Sequence, residues 1–342
     1  MKNYNQRRII VLILLLFSFA MIISSSYAAD IVVNSSSTFK EDVLNADSGS
    51  TIILNAGQEY KLNFDQNSLI INKKVIIKSS SSSKNAIINL NGKGPAFRLI
   101  GADKLYKIPR GEVTLINVTI INAGNIAIEN GGGKLTVIGC TFKNNKVGDG
   151  GGGGAIYLGR GSITKFTSCT FINNKAMFGG AIVNQEKSTL TMTKCIFKNN
   201  KASRGDGGAI CNNGGTMKLT SCTFIANTAY YNGGAIDVSG ESTLIKCTFK
   251  NNKAGAYGGA IINGRKTLVL KDSTFTNNQA KKFGGAIAGF QYPPYGCYLK
   301  IYNTKFIKNK VTSKRTYSAI YLLETKITKS KVKITPKEGK RY

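Results

Sequence analysis

The sequence predicts an all-β chain, a single-stranded right-handed parallel β-helix whose coils of roughly 26 residues stack into one rod behind a short N-terminal capping helix. Three observations predict it. Gly-Gly-Ala-Ile occurs six times, beginning at Gly153, Gly179, Gly207, Gly233, Gly258 and Gly284, at intervals of 26, 28, 26, 25 and 26 residues. Phe-x-x-Asn interleaves with it seven times, at Phe142/Asn145, Phe171/Asn174, Phe197/Asn200, Phe224/Asn227, Phe249/Asn252, Phe275/Asn278 and Phe306/Asn309. The repeats are rich in Thr, Val, Ile, Phe, Asn and Gly, which favour strands and turns and disfavour the helical repeats of similar length.

The register follows from side-chain parity. With Cys140 as phase zero, the equivalents are Cys169, Cys195, Cys222, Cys247, Ser273 and Thr304. Phase −3 is always apolar, phase −5 usually so, and phase +2 is always Phe. Phases −5 and −3 share one strand face, as do 0 and +2, but the step from −3 to 0 is odd. One strand cannot point all four inward; two short strands with a corner at −2 and −1 can. A third short strand carries Ala-Ile and closes the coil. Val113, Leu115, Val118 and Ile120 fit the same template, so the coils begin before the first Cys.

Stacking at the strand spacing of about 4.8 Å places like residues above like. The Phe residues then form a core ladder. The Asn at +5 is expected at a left-handed corner, with its amides hydrogen-bonded along the stack. The Gly pairs allow positive φ or close backbone approach at another corner. Five cysteines share the inward phase and read as a reduced thiol ladder, because parallel Cβ vectors about 4.8 Å apart exceed the preferred disulfide separation. Cys211 and Cys297 fall out of phase.

Residues 1–28 read as a signal peptide: a basic start at Lys2, Arg7 and Arg8, an apolar run from Ile9 to Ile23, and Ser26-Tyr27-Ala28 before the cut. Residues 29–110 are assigned to the cap and irregular first coils, 111–325 to regular coils, and 326–342 to a basic end. Thr38-Phe39-Lys40-Glu41 matches a capping box, with Phe39, Val43 and Leu44 as the apolar helix face laid over the first coil. Asn34 and Asn117 begin glycosylation sequons.

Charge and missing residue types narrow the function. The formal net charge is +30, and there is no His and no Trp. Without His, imidazole acid–base catalysis and His-ligated metal sites are excluded, and no cofactor is expected. A strongly basic exported chain attracts polyanions. The expected partner is an acidic polysaccharide or cell-wall polymer, with an anionic membrane surface as the alternative and no nucleic acid. The candidate polyanion-binding residues are Lys146, Lys175, Lys201, Lys253 and Lys310 at phase +6, with Lys143, Lys198 and Lys250 at phase +3. A merely solvated basic edge explains the same pattern.

Asp149, Asp206, Asp237, Glu241 and Asp272 are the candidate catalytic carboxylates in the repeats, and they read as solvated turn residues. Asp206 and Asp237 fall at different phases of adjacent coils, so the repeat does not stack them. The alternation of Gly-Gly-Ala-Ile with Phe-x-x-Asn resembles the repeats of chlamydial polymorphic outer-membrane proteins. Cys-Thr-Phe-x-Asn-Asn-x-Ala leading into Gly-Gly-Ala-Ile resembles the adhesin-like surface proteins of methanogenic archaea. That resemblance implies a secreted or cell-surface β-helix that mediates adhesion. The expectation is therefore a non-enzymatic, adhesin-like binding protein without catalytic residues. The alternative is a polysaccharide lyase or hydrolase on the same scaffold.

Overall fold

The computed structural model describes residues 28–63, 69–102, 108–290, 297–313, 319–323, 326–330 and 333–335. All but the last residue of the expected signal segment lies outside them, as do residues 336–342 of the basic end. Among the described residues, one seven-residue helix follows the first of a series of short strands that pair in parallel. The strands assemble into three long sheets of twelve, eleven and ten strands and a fourth of six. Sheet I runs from Asp30–Val33 to Lys326–Ser330, sheet II from Glu59–Lys61 to Lys333–Thr335, and sheet III from Leu69–Ile71 to Ile320–Leu323. This is the expected all-β parallel coil.

The register puts every repeat of the sequence in line. Leu135 pairs with Thr164, Thr164 with Leu190, and Leu190 with Met217 in sheet I. In sheet II, Phe142 pairs with Phe171, and the pairing continues through Phe197, Phe224, Phe249 and Phe275 to Phe306. These rings stack at 4.5 to 5.0 Å between centroids, tilted by 4 to 13°. All seven are fully buried, each removing roughly 150–250 Å² of ring surface from water.

Two features depart from expectation at the corners. The first concerns the Asn at phase +5, expected in the left-handed conformation. None of Asn145, Asn174, Asn200, Asn227, Asn252, Asn278 and Asn309 has positive φ. The left-handed residue is the one before each of them: Asn144, Asn173, Asn199, Ala226, Asn251, Asn277 and Lys308 have φ of 53 to 58°. The +5 side chains turn inward instead, and all seven are buried.

There they bond along the stack, as expected. Asn145 donates its side-chain amide to the Ile120 carbonyl and to Asn174 Oδ1, both at 3.1 Å. Asn174 donates its backbone N–H and its side-chain amide to Asn200 Oδ1, and the same amide to the Phe142 carbonyl, all at 3.0 Å. At the far end, Asn278 donates its amide to Asn309 Oδ1 at 2.8 Å, and Asn309 donates its own to the Phe275 carbonyl at 2.9 Å. The +5 side chain is needed inside to satisfy these buried backbone groups, so its neighbour takes the chain reversal. The second departure is a fourth sheet, which parity in the sequence did not reveal. Phases +6 and +7 form two-residue strands from Lys175–Ala176 to Lys310–Val311.

The first glycine of each Gly-Gly-Ala-Ile has φ between 55 and 72°. The second packs against the next coil: a Cβ on Gly208 would collide with the Gly234 carbonyl. This motif is therefore demanded by the stacking.

The helix Phe39–Asn45 covers the end of the rod, with the Phe39 ring 6.1 Å from Tyr60 and 6.4 Å from Phe97. The capping box does not form. Thr38 already has helical φ and ψ (−87°, −18°) and makes no side-chain cap bond; its hydroxyl turns back towards Ser35. Phe39 and Val43 are buried, but Leu44 is 42% exposed. Five residues past Phe39, Leu44 sits about 140° around the helix and cannot share its face. Lys73 closes the other end, donating to the carbonyls of Leu44 at 2.6 Å and Ala46.

All seven cysteines are free and buried. Burial pushes the Cys140 thiol well above its ordinary pKa, as expected for a sulfur within an apolar stack. Alkylation of the native protein should leave the five ladder thiols unlabelled, whereas all seven label after denaturation. Mass spectrometry reads both states, and rapid native labelling of Cys195 would contradict the buried ladder.

Candidate functional site

Sheet III carries the site because its outer face is roofed. Its outward positions form the row Tyr157, Val183, Cys211, Asp237, Ile262 and Ala288 in successive coils. Yet Val183, Ile262 and Ala288 are at most 6% exposed. The loop entering each Gly-Gly pair covers them. The residues immediately before those pairs are Gly152, Phe178, Asp206, Asn232, Tyr257 and Phe283. Phe178 and Val183 both crowd Gly152, and Tyr257 stacks on Phe283 at 5.5 Å.

Both rows turn polar in the same two coils. The roof changes from Phe178 to Asp206 and Asn232, then returns to Tyr257. The floor changes from Val183 to Cys211 and Asp237, then returns to Ile262. Nothing in the coil geometry demands this, since apolar residues serve on either side. A local break of a repeat's packing rule points to function.

The polar residues form two hydrogen-bonded groups, and the charge of Asp206 acts across them on Asp237. Asn232 donates its backbone N–H to Asp206 Oδ1 at 2.8 Å and its side-chain amide to Oδ2 at 3.3 Å. Its own side-chain oxygen, Oδ1, accepts from the Tyr257 N–H at 3.2 Å. Cys211 Sγ donates to Asp237 Oδ2 at 3.4 Å, and Ser239 Oγ donates to Oδ1 at 3.1 Å. Burial and then the Asp206 charge push the Asp237 carboxyl up to about 7, against the opposing hydrogen bonds and Arg265. Burial also raises Asp206, opposed by its bonds from Asn232. Cys211 is driven well above its ordinary value by burial and by Asp237, so it stays a thiol and a donor.

The two carboxylates that spacing set apart thus act on one another. The reason is a difference in element: Asp206 lies on a loop and Asp237 on a strand. A phase count along strands cannot register a loop that folds back over the next coil's outer face. The signal that finds the pair is the residue before each Gly-Gly, read as its own column. Of the other carboxylates, Asp149 pairs with Arg204 at 3.2 Å on the exposed surface. Asp272 sits at a left-handed corner, its Oδ1 accepting from Asn303 at 2.6 Å. Glu241 is exposed in a turn.

The phase +6 lysines lie at the head of the sheet IV strands. Lys146 bridges to Lys175 and Lys175 pairs with Lys201; Thr228 and Gln279 then alternate with Lys253 and Lys310. Lys175 is half-buried and the other four are exposed. The phase +3 lysines are not a continuous row. Ile172 separates Lys143 from Lys198, and Ile225 separates Lys198 from Lys250. Asn34 is exposed after the first strand. Asn117 occupies a left-handed corner at φ 54° with its side chain against Gly139.

No curated protein sequence matches the chain. Among solved structures, a rhamnogalacturonan lyase superposes on 90% of this chain and 87% of its own length, with TM-score 0.58 and 11% identity. An alginate lyase from Paenibacillus sp. str. FPU-7 matches 89% of this chain and 99% of its own, with TM-score 0.49 and 11% identity. A GH87 α-1,3-glucanase catalytic domain in complex with nigerose matches 92% and 67%, with TM-score 0.42 and 10% identity. The expectation of a non-enzymatic chain is corrected to this extent: the same fold carries a rhamnogalacturonan lyase, so the fold gives no ground for excluding an enzyme. A sequence-family model described as "Right handed beta helix region" matches residues 109–306. That match spans more than half of the sequence, and the chain belongs to the right-handed β-helix family.

Proposed function

We propose that the chain is a carbohydrate-active enzyme that hydrolyses a polysaccharide at the roofed face of sheet III. The observation that carries this reading is the mutual placement of Asp206 and Asp237 where both rows of the repeat turn polar. Two carboxylates in unequal surroundings are the working parts of glycoside hydrolysis. Asp237 keeps its proton near neutral pH and donates it to the departing glycosidic oxygen. Asp206, held by Asn232, takes a proton from the water whose oxygen bonds to the anomeric carbon as the glycosidic bond breaks.

The substrate class is an acidic polysaccharide, met outside the cell by an exported protein. A net charge of +30 supports this, because long-range attraction concentrates a polyanion near the rod. The lysines of sheet IV flank the site: Lys201 precedes Asp206 by five residues on the same connection. Replacing Lys146, Lys175 and Lys201 together with Gln should weaken alginate binding several-fold and flatten its dependence on salt. Unchanged binding across a salt series would remove these lysines from the interface.

The test of activity is incubation with alginate, rhamnogalacturonan and α-1,3-glucan, with reducing ends and ultraviolet absorbance followed together. Hydrolysis raises reducing ends alone. Absorbing, unsaturated ends would show elimination and overturn the roles given to Asp206 and Asp237. The rate should fall as pH rises through about 7, where Asp237 loses its proton.

A further inference from the structure

Tyr230 and Tyr231 stand out from every other coil. They are 58% and 52% exposed, with their rings 4.7 Å apart at 86°. The matching two residues before the roof position are Met177 with Ala176, Arg204 with Gly205, Gly255 with Ala256, and Lys281 with Lys282. Neither ring fills the core or roofs sheet III, so packing does not account for them.

Their backbone is fixed although their rings are free. The Tyr230 N–H donates to the Ala202 carbonyl at 3.0 Å, and the Tyr231 N–H to the Gly205 carbonyl at 3.2 Å. The Tyr231 carbonyl accepts from Ala256 at 2.7 Å. A Cβ on Gly255 would collide with the Tyr230 carbonyl, so the next coil packs directly against this loop. The residue after the pair is Asn232, which holds the Asp206 carboxylate. The backbone that carries two exposed aromatic rings is therefore fixed directly before Asn232, the residue that holds Asp206.

We infer that Tyr230 and Tyr231 form a stacking subsite that holds one pyranose unit of a polysaccharide beside Asp206 and Asp237. This rests on the proposed carbohydrate chemistry of the site and names the residues that grip the chain. A pyranose face is lined with polarised C–H bonds, which pack on the negative face of an aromatic ring, while the tyrosine hydroxyls remain in water. Two rings at right angles support one face and one edge of the sugar. Rings on a rigid loop lose little freedom on binding.

The experiment measures binding and turnover separately, with the full chain and the same three polymers. Binding is measured by affinity electrophoresis in the Asp237→Asn background, which holds the polymer without cleaving it. Adding Tyr230→Ala and Tyr231→Ala should weaken binding about tenfold or more, whereas Tyr230→Phe and Tyr231→Phe should retain it. In the otherwise unaltered chain, the alanine pair should raise KM by a similar factor and leave kcat within about twofold, as for binding shared by ground and transition states. An unchanged unfolding midpoint confirms that the exposed substitutions spare the coil. Binding that survives the alanine pair, or a wild-type chain that binds none of the polymers, overturns the subsite. Tyrosine-dependent binding without any turnover supports the subsite and overturns only the catalytic reading.

Discussion

Asp237→Asn is expected to lose about 10²- to 10⁴-fold in polysaccharide turnover while becoming more stable than the parent chain above pH 7. The folded-state pKa of Asp237 is raised from 3.8 to about 7. The native chain therefore keeps a proton that the unfolded chain has released across this interval. Stability falls as pH rises from about 4 to about 7, and the penalty is complete above that window. At about 1.36 kcal/mol for each pH unit crossed, the penalty is of the order of a few kcal/mol, reduced by the partial solvent access that Asp237 retains. An amide carries no charge at any pH, and its single oxygen keeps one of the two bonds that Cys211 and Ser239 make to separate carboxylate oxygens. The measurement is denaturant unfolding of both chains at pH 5 and pH 8. The variant should gain most at pH 8 and clearly less at pH 5. Equal stability of the two chains at both pH values, with turnover retained, would remove Asp237 from the site.

Asn227→Ala is expected to cost about 3–5 kcal/mol or more, far beyond what its size suggests. Asn227 donates its amide to the Phe197 carbonyl and to Asn252 Oδ1, each at 3.0 Å. It accepts from the backbone and side-chain amides of Asn200, also at 3.0 Å. Alanine leaves the Asn200 N–H and the Phe197 carbonyl without these partners in a region sealed from water. Each buried unsatisfied group costs about 1–3 kcal/mol. The damage should spread to both neighbouring coils, since each coil is stabilised by the two it touches. Hydrogen exchange should show faster amide loss in the flanking coils. Lys253→Gln, in the following coil on an exposed side chain, should remain within about 0.5 kcal/mol of the parent chain. A similarly small effect of Asn227→Ala would mean that the ladder is dispensable.

The legible and the hidden parts of the molecule divide by kind of contact. Phe142 to Phe306 are legible because strand parity is local and each repeat fixes the next. The ladder from Asn145 to Asn309 is legible as an element of the fold, but its left-handed corner lies one residue earlier than the pattern suggests. Position +4 takes that conformation in Asn, Ala and Lys alike, so residue type leaves no unique mark. The two-residue strands of sheet IV are too short to show an alternation. The roofed face is hidden for another reason: Val183 and Ile262 face outward by parity, yet a loop covers them.

The sequence by itself determined the coil, its period, the inward phases and the basic character of the chain, because stacking identical coils makes local pattern and global structure the same thing. The tertiary structure alone decided that Asp206 and Asp237 belong together. Their meeting depends on how a loop of one coil folds over the strand of the next, and no periodicity within either coil encodes that distance.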